Sequence, residues 1–268
     1  MPSRRIVNTL TAMLLPIGAM AATAAAAPTA TGAACSASSG ATIPAVVELY
    51  TSEGCDSCPP ADRWFGALKD QAARGKVIPL AFHVDYWDYL GWKDRFGDPA
   101  FSARHRTAAS NGGARVVYTP QVLFEGREFQ QWRRTTPEKL SLSSTAKPAR
   151  ANLRIAAAPA GARKLQLDVS AKALQSVQHA DAYVALFESG LSSDVKAGEN
   201  KGVLLRHDFV VRRWLGPFAF KDGALSLAQP VELPGDSALA QSGIAVVAVD
   251  ADGAVLQALS MPLRDCGS

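Results

Sequence analysis

The chain has 268 residues, a formal net charge of +4, 48% hydrophobic residues and 19% charged residues. That length exceeds what one ordinary core needs, so we expect two domains in a globular protein. The net charge is small, the charged residues are scattered, and no run of basic residues is interleaved with aromatic ones. We therefore do not expect a nucleic acid as the partner.

The N-terminal segment has the pattern of a targeting sequence. Arg4 and Arg5 precede a short apolar run over 10–20, and small residues fill 21–27. This order predicts a secretory signal peptide over 1–27, because the apolar run is too short to span a membrane. The pair of arginines leaves twin-arginine export open as an alternative to the general secretory route. We therefore expect a periplasmic or secreted protein with no membrane span after cleavage.

The segment after the signal peptide leads into an alternation of strands and helices. Residues 28–43 are rich in Ala, Thr, Ser and Gly and predict a flexible leader. Over 44–136 the apolar pattern predicts strands at 46–51 and 77–84 and helices at 59–73 and 100–110, followed by a hairpin over 116–129. Helix-connected strands that end in a hairpin favour a mixed sheet with flanking helices, which is an α/β domain.

The second half of the chain changes character. Residues 137–150 predict a weak helix or linker, and 151–268 contain about seven short strands separated by turn signals, which favours an all-β sandwich-like domain. The polar loop over 188–200 is a candidate surface for contact with a partner. His207 and Asp208 fall in a strand-like run and are interpreted as surface or interdomain residues.

Cys55-Asp56-Ser57-Cys58 is the most informative motif of the chain. It lies between a predicted strand and a helix that Pro59 opens. Two cysteines at this spacing can form a disulfide, and a thiolate is stabilised at the positive end of a helix. We expect Cys55 to attack a substrate disulfide and Cys58 to resolve the mixed disulfide. The negative charge of Asp56 opposes a thiolate, which favours a reductase or isomerase over a strong oxidant; a structural disulfide without turnover is the alternative.

The remaining cysteines stand alone near the two ends of the chain. Cys35 precedes the first domain and Cys266 ends the last. An even number of cysteines in an exported protein predicts a structural disulfide between them. The alternative is that both are free thiols in mobile ends.

Two further clusters are predicted to lie near the cysteine motif. The Thr119-Pro120 bond is a candidate cis peptide that would pair with a substrate peptide, although an ordinary trans proline at an edge strand is the alternative. On a strand, His83, Asp85 and Trp87 would share one face. His83 with Asp85 is a candidate proton relay for the thiols, or His83 could join the cysteines in holding copper(I); a hydrogen-bonded structural pair is the alternative.

The order of these elements and motifs resembles the thioredoxin fold over about residues 44–135. The segments 48–62, 83–88 and 118–121 are, more narrowly, similar to an uncharacterised family of secreted bacterial thioredoxin-like proteins that carries a domain-of-unknown-function label. The resemblance implies that Cys55 and Cys58 are the redox pair and that Pro120 is the cis-proline. Thr119 and Trp87, which we expect beside them, are candidate substrate-binding residues. The chain departs from thioredoxin itself, since no Trp precedes Cys55, and Asp56-Ser57 replaces Gly-Pro.

Together these patterns predict an exported thiol–disulfide oxidoreductase that exchanges disulfides with a protein or a small thiol. Such exchange needs no bound cofactor or metal, and a redox partner protein would supply the electrons. One alternative is a copper(I)-binding chaperone that uses the same cysteines. The other is a non-catalytic thioredoxin-like adaptor.

Overall fold

The computed structural model describes Met1 and residues 34–114, 116–143, 147–175, 177, 179–264 and 266, without the side chains of 141–143. The predicted signal peptide beyond Met1, and the leader as far as residue 33, lie outside the described residues. Within the described ranges, no helix is long and apolar enough to cross a membrane.

The fold is mixed α/β, with two large sheets and few helices. The strands in the first half of the chain are β1 (Cys35–Ser38), β2 (Thr42–Ile43), β3 (Ala45–Thr51), β4 (Val77–His83), β5 (Gln121–Phe124), β6 (Arg127–Glu128) and β7 (Lys147–Pro148). The strands in the second half are β8 (Ala151–Pro159), β9 (Lys164–Ala173), β10 (Ala180–Glu188), β11 (Leu191–Asp194), β12 (Leu204–His207), β13 (Val210–Ala219), β14 (Ala224–Glu232), β15 (Ser242–Asp250) and β16 (Val255–Pro262). The helices are α1 (Pro59–Gly66), α2 (Lys69–Ala73), α3 (Pro99–Asn111) and α4 (Pro137–Ser143), with short 3-10 turns at Asp88–Leu90, Gln130–Arg134 and Leu239–Gln241.

One sheet runs through both halves of the chain. Its eight strands lie in the order β16-β15-β10-β13-β4-β3-β5-β6. All residues of β3 and β4 are buried, as near-continuous apolar strands are when both sheet faces are covered. The strand β13 pairs in parallel with β4, where Val210 lies opposite Ala81.

This continuity differs from the expectation of a separate sandwich after residue 150. Four of the later strands extend the first sheet, because the free edge of β4 offers backbone groups that β13 pairs. One apolar cluster accordingly joins Tyr50 and Phe82 to Ala185 and Val211. The β-rich character predicted for 151–268 is present, but its strands share a core with the α/β half.

The second large sheet contains four strands in the order β1-β8-β9-β14 and buries one face. In β8, Leu153, Ile155 and Ala157 point inward, and the intervening side chains are more exposed. Their apolar cluster also takes in Val184 of the eight-stranded sheet, so the two sheets share a core. The leader over 28–43 was expected to be flexible, but its described residues, 34–43, contain two paired strands, since β1 pairs with β8 and β2 with β7.

The helices cover the opposite faces of the eight-stranded sheet near β3. The single helix predicted over 59–73 is two helices, since α1 ends at Gly66 and α2 begins at Lys69. On one face, Phe65 of α1 packs with Leu68 and with Leu140 of α4, which forms inside the predicted linker. On the other face, α3 contributes Phe101 to the core.

Candidate functional site

Cys55 and Cys58 are bonded to each other directly before α1, with their Cα atoms 5.5 Å apart. A turn brings them together, since the amide of Cys58 donates to the carbonyl of Cys55 at 3.2 Å. Pro59 and Pro60 then open the helix. The hydroxyl of Ser57 lies 3.3 Å from the Cys55 sulfur. Cys55 and Cys58 are 1% and 0% exposed, so neither sulfur is open to a large molecule in this conformation.

Asp62 lies one helical turn beyond Cys58 on the same buried side of α1. Its amide donates to the carbonyl of Cys58 at 3.1 Å. Residues four apart on a helix lie on the same face, with Cβ atoms about 6 Å apart, so Asp62 shares the face of α1 that Cys58 begins. Its Oδ2 lies 3.9 Å from the Nδ1 of His207. Burial raises the pKa of Asp62 above its usual range. The sequence reasoning did not single out this residue, although its spacing from Cys58 was visible.

His83 ends β4 and pairs with Asp94, not with Asp85. Its Nδ1 lies 2.7 Å from Asp94 Oδ2, and both side chains are fully buried. Burial acts to lower the pKa of His83, but the charge and hydrogen bond of Asp94 outweigh it, so the pKa lies above its usual value. The expectation that His83, Asp85 and Trp87 share a strand face differs from the structure, because β4 stops at His83 and Asp85 turns away to bond Ser102.

His207 and Glu53 complete a buried group of titratable side chains. His207 Nε2 lies 3.3 Å from Glu53 Oε1, and its Nδ1 lies 3.9 Å from Asp62 Oδ2. The ring of His207 meets that of His83 edge-on, with centroids 4.8 Å apart. Burial acts to raise the pKa of Glu53, but the neighbouring His207 contributes to a net lowering.

Of the two interpretations given for His207, the surface one is wrong, because this residue is only 2% exposed. The interdomain one agrees with its position, since β12 comes from the second half of the chain and His207 contacts Glu53 and Asp62 of the first half. The alternation along β12 buries Leu205 and His207 together and was the available signal.

Thr119 and Trp87 lie together beside the cysteine motif. The indole of Trp87 donates to the Thr119 hydroxyl at 2.7 Å, and the Ser57 hydroxyl reaches the Thr119 carbonyl at 3.5 Å. The Thr119-Pro120 peptide is cis. A Cβ on Gly54 would lie 2.9 Å from the Cβ of Trp87, so only glycine allows this close approach.

A loop from the second half of the chain lies over the cysteine motif. This cover loop, residues 195–203, connects β11 to β12. The amide of Asn200 donates to the carbonyls of Glu53 and Cys55 at 2.8 and 2.9 Å, and the Glu199 carboxylate accepts from the amide of Asp56 at 3.1 Å. The polar loop expected over 188–200 instead contains the end of β10 and all of β11. Its last residues contact the chain's own candidate site.

The donor groups around the cysteines do not assemble into a metal centre in the part of the chain that the structure describes. No group of three or more His, Cys, Asp or Glu side chains there has an arrangement that could hold one ion. The two cysteine sulfurs are bonded to each other, and His83 Nδ1 is engaged by Asp94.

Comparison of the sequence with known families identifies the family of the chain. Residues 46–249 match the family described as "Protein of unknown function (DUF1223)". The chain belongs to the DUF1223 family. The matched range includes the cysteine motif, the buried group of titratable side chains and the cover loop. No curated protein matches.

Two solved structures resemble this DUF1223 protein. A structural-genomics target from Agrobacterium tumefaciens is 26% identical with a TM-score of 0.57, and the match covers 82% of this chain and 94% of that one. HBP35 of Porphyromonas gingivalis is 13% identical with a TM-score of 0.64, over 85% of this chain and 78% of that one. The second likeness concerns the fold alone.

Proposed function

We propose that this protein is an exported thiol–disulfide oxidoreductase whose thioredoxin-like half carries the reacting cysteines. One observation carries the proposal: Cys55 and Cys58 are bonded to each other at the start of α1, with the buried carboxyl of Asp62 one turn below. A purely structural disulfide needs neither the helix terminus nor a buried carboxyl with a raised pKa. The predicted signal peptide supports a location in an oxidising compartment.

The proposed exchange begins with the dithiol form of the protein. The thiolate of Cys55 attacks one sulfur of a substrate disulfide, a Cys55–substrate bond forms, and the substrate's other sulfur leaves as a thiolate. The N-terminus of α1 stabilises the attacking thiolate, whereas the charge of Asp56 opposes it. This balance favours a reductase or isomerase over a strong oxidant.

The second step uses Cys58 and Asp62. The Cys58 thiol gives its proton to the Asp62 carboxylate and attacks Cys55, which forms the Cys55–Cys58 bond and releases the substrate sulfur as a thiolate. Two electrons have then passed from the dithiol to the substrate. A carboxylate whose pKa is raised by burial is a better proton acceptor than an exposed one. A dithiol partner protein returns the two electrons and two protons in the next cycle.

The decisive test is the reduction potential of the Cys55–Cys58 couple in glutathione buffers, with the redox state of this disulfide read by peptide mass spectrometry on the full chain. A reversible couple between about −270 and −120 mV, the range of exchange enzymes, is the expected result. A couple below about −300 mV is typical of a structural disulfide and would move the proposal to the adaptor.

A trapping experiment tests the assigned roles. Cys58→Ser should accumulate a mixed disulfide between Cys55 and a disulfide-linked reporter peptide, because no thiol is left to resolve it. Cys55→Ser is the matched control and should trap no peptide. Trapping by the Cys55→Ser variant instead would reverse the two roles.

The copper(I) alternative makes a different prediction from the same variants. It requires stoichiometric copper(I) binding that Cys55→Ser abolishes, together with no exchange activity in the unsubstituted protein. Substitution of His83 should also weaken copper binding if His83 is a ligand, whereas in the oxidoreductase it should only slow exchange.

A further inference from the structure

The cover loop is a compact unit that lies on the reacting end of α1. Within the loop, the amide of Gly202 donates to Val195 at 2.8 Å and that of Val203 donates to Asn200 at 3.0 Å. A Cβ on Gly198 would lie 3.3 Å from the Cβ of Trp92, so the loop packs closely on the chain at Trp92. These bonds allow the loop to move as one piece.

Its contacts with the cysteine motif are polar and fall on backbone groups. Asn200, which is 5% exposed, uses its side-chain amide on the carbonyls of Glu53 and Cys55. Glu199 accepts from the amide of Asp56. These are two acceptors and one donor of the segment that carries Cys55. An approaching polypeptide would address the same groups by strand-like pairing.

We propose that the cover loop is a built-in occupant of the substrate site, and that Asn200 and Glu199 decide which molecules reach Cys55. With the loop closed, both sulfurs are buried. Opening it breaks three hydrogen bonds, removes the Asn200 donor from the carbonyl of Glu53, and leaves the carbonyl of Cys55 with the amide of Cys58 alone. A polypeptide recovers this cost because its N–H and C=O groups replace those of the loop, whereas a small thiol or phosphine offers no such pattern. The substrate class is therefore a polypeptide, and this assignment of substrate rests on the proposed function.

The access part of the proposal is tested without any exchange activity. The full oxidised chain is treated with a water-soluble phosphine, which breaks the Cys55–Cys58 bond, gives two thiols and becomes the phosphine oxide with oxygen from water. The rate is followed by alkylation and peptide mass spectrometry. Asn200→Asp keeps the side-chain shape but sets an acceptor against two carbonyl acceptors, so reduction should become at least about 10-fold faster, as expected for a loss of one or two hydrogen bonds.

Lys201→Ala is the matched control, since Lys201 is exposed in the same loop. It should leave the rate within about twofold of the unsubstituted chain, because the hydrogen bond from the Lys201 amide to the carbonyl of Gly198 belongs to the backbone and is retained. Asn200→Ala serves as the second variant, and the melting temperature of each variant checks that the rest of the fold is intact. If both Asn200 variants are folded and their reduction rates lie within twofold of that of the unsubstituted chain, the proposal that the loop limits access to the disulfide is refuted.

The substrate class is tested by the ratio of two reduction rates, one with a dithiol peptide and one with dithiothreitol. We expect the unsubstituted chain to favour the peptide and Asn200→Asp to lower that ratio by about 10-fold, since opening becomes free for both reductants. An unchanged ratio would refute selection for polypeptides. If the oxidoreductase proposal is wrong, the Cys55–Cys58 couple has the reduction potential of a structural disulfide, while the phosphine rates still show whether the loop limits access. If only the cover-loop proposal is wrong, the couple keeps a potential in the range of exchange enzymes, and the variants are reduced by the phosphine at the same rate as the unsubstituted chain.

Discussion

Removal of the disulfide that joins the ends of the described chain should produce a large loss of stability. Cys35 and Cys266 are bonded with a sequence separation of 231 residues and Cα atoms 5.1 Å apart. In the chain-entropy model, closing a loop of this length raises the free energy of the unfolded state by about 5 kcal/mol. We therefore expect Cys35→Ala/Cys266→Ala to lose about 3–5 kcal/mol of unfolding free energy, the lower value applying if β1 detaches from the edge of its sheet in the native state.

The assay is equilibrium unfolding in urea, with the Cys55–Cys58 pair kept oxidised. The slope of free energy against urea should also rise, because the unfolded chain without the cross-link exposes more surface. Each single alanine variant should lose about as much as the double variant, since either one removes the same bond. A double variant that loses less than about 1 kcal/mol with an unchanged slope, or single losses that add, would refute the reasoning.

Three further predictions concern the buried charges and a helix terminus. The raised pKa of His83 contributes stability that is present below its unfolded value of 6.5 and lost as pH rises through the folded pKa, whereas the lowered pKa of Asp94 contributes stability above 3.8 that is lost as pH falls. In urea unfolding, the loss of unfolding free energy caused by His83→Gln should therefore be smaller at pH 8.5 than at pH 5.5. A loss that is larger at pH 8.5 would contradict this. Arg104→Met should cost about 3 kcal/mol because it removes the cation that lies 2.6 Å from the buried carboxylate of Glu48 and leaves only the Tyr50 hydroxyl to donate to it. Adding Glu48→Gln should restore part of that loss. Asp98→Ala should cost about 1 kcal/mol in the same assay by removing the side-chain cap of α3, and an unchanged midpoint would show that the cap contributes nothing.

Local sequence patterns predicted the parts of the site that are close in the chain. The spacing of Cys55 and Cys58 allowed only a short turn, and the prolines after them fixed the start of α1, so this half of the site followed from neighbouring residues. The apolar runs likewise predicted β3 and β4, because a strand covered on both faces has no polar alternation.

The parts that the sequence did not predict depend on pairing between distant segments. Asn200 reaches Cys55 from a separation of 145 residues, and His207 reaches Glu53 because β13 pairs with β4 and brings the preceding β11–β12 hairpin over α1. No local pattern encodes that β13 adds to an existing sheet edge; the same alternating strand would equally fit a separate sandwich. The partner of His83 was missed for the same reason, since Asp94 returns to it only after the 3-10 turn that follows the strand.

The joining of the two halves in one sheet has a consequence for the chemistry. Burying a histidine and a carboxylate side by side takes two polar groups out of water, and the arrangement persists only where the surrounding packing holds both in place. Here the same strand pairing that fixes His207 beneath the disulfide also anchors the cover loop above it. A change that loosens β13 from β4 should therefore alter both the environment of Asp62 and the access to Cys55, whereas a change confined to Asn200 should alter access alone. Comparing the two kinds of change therefore shows whether the second half of the chain only shields the disulfide or also alters the chemical environment of its cysteines.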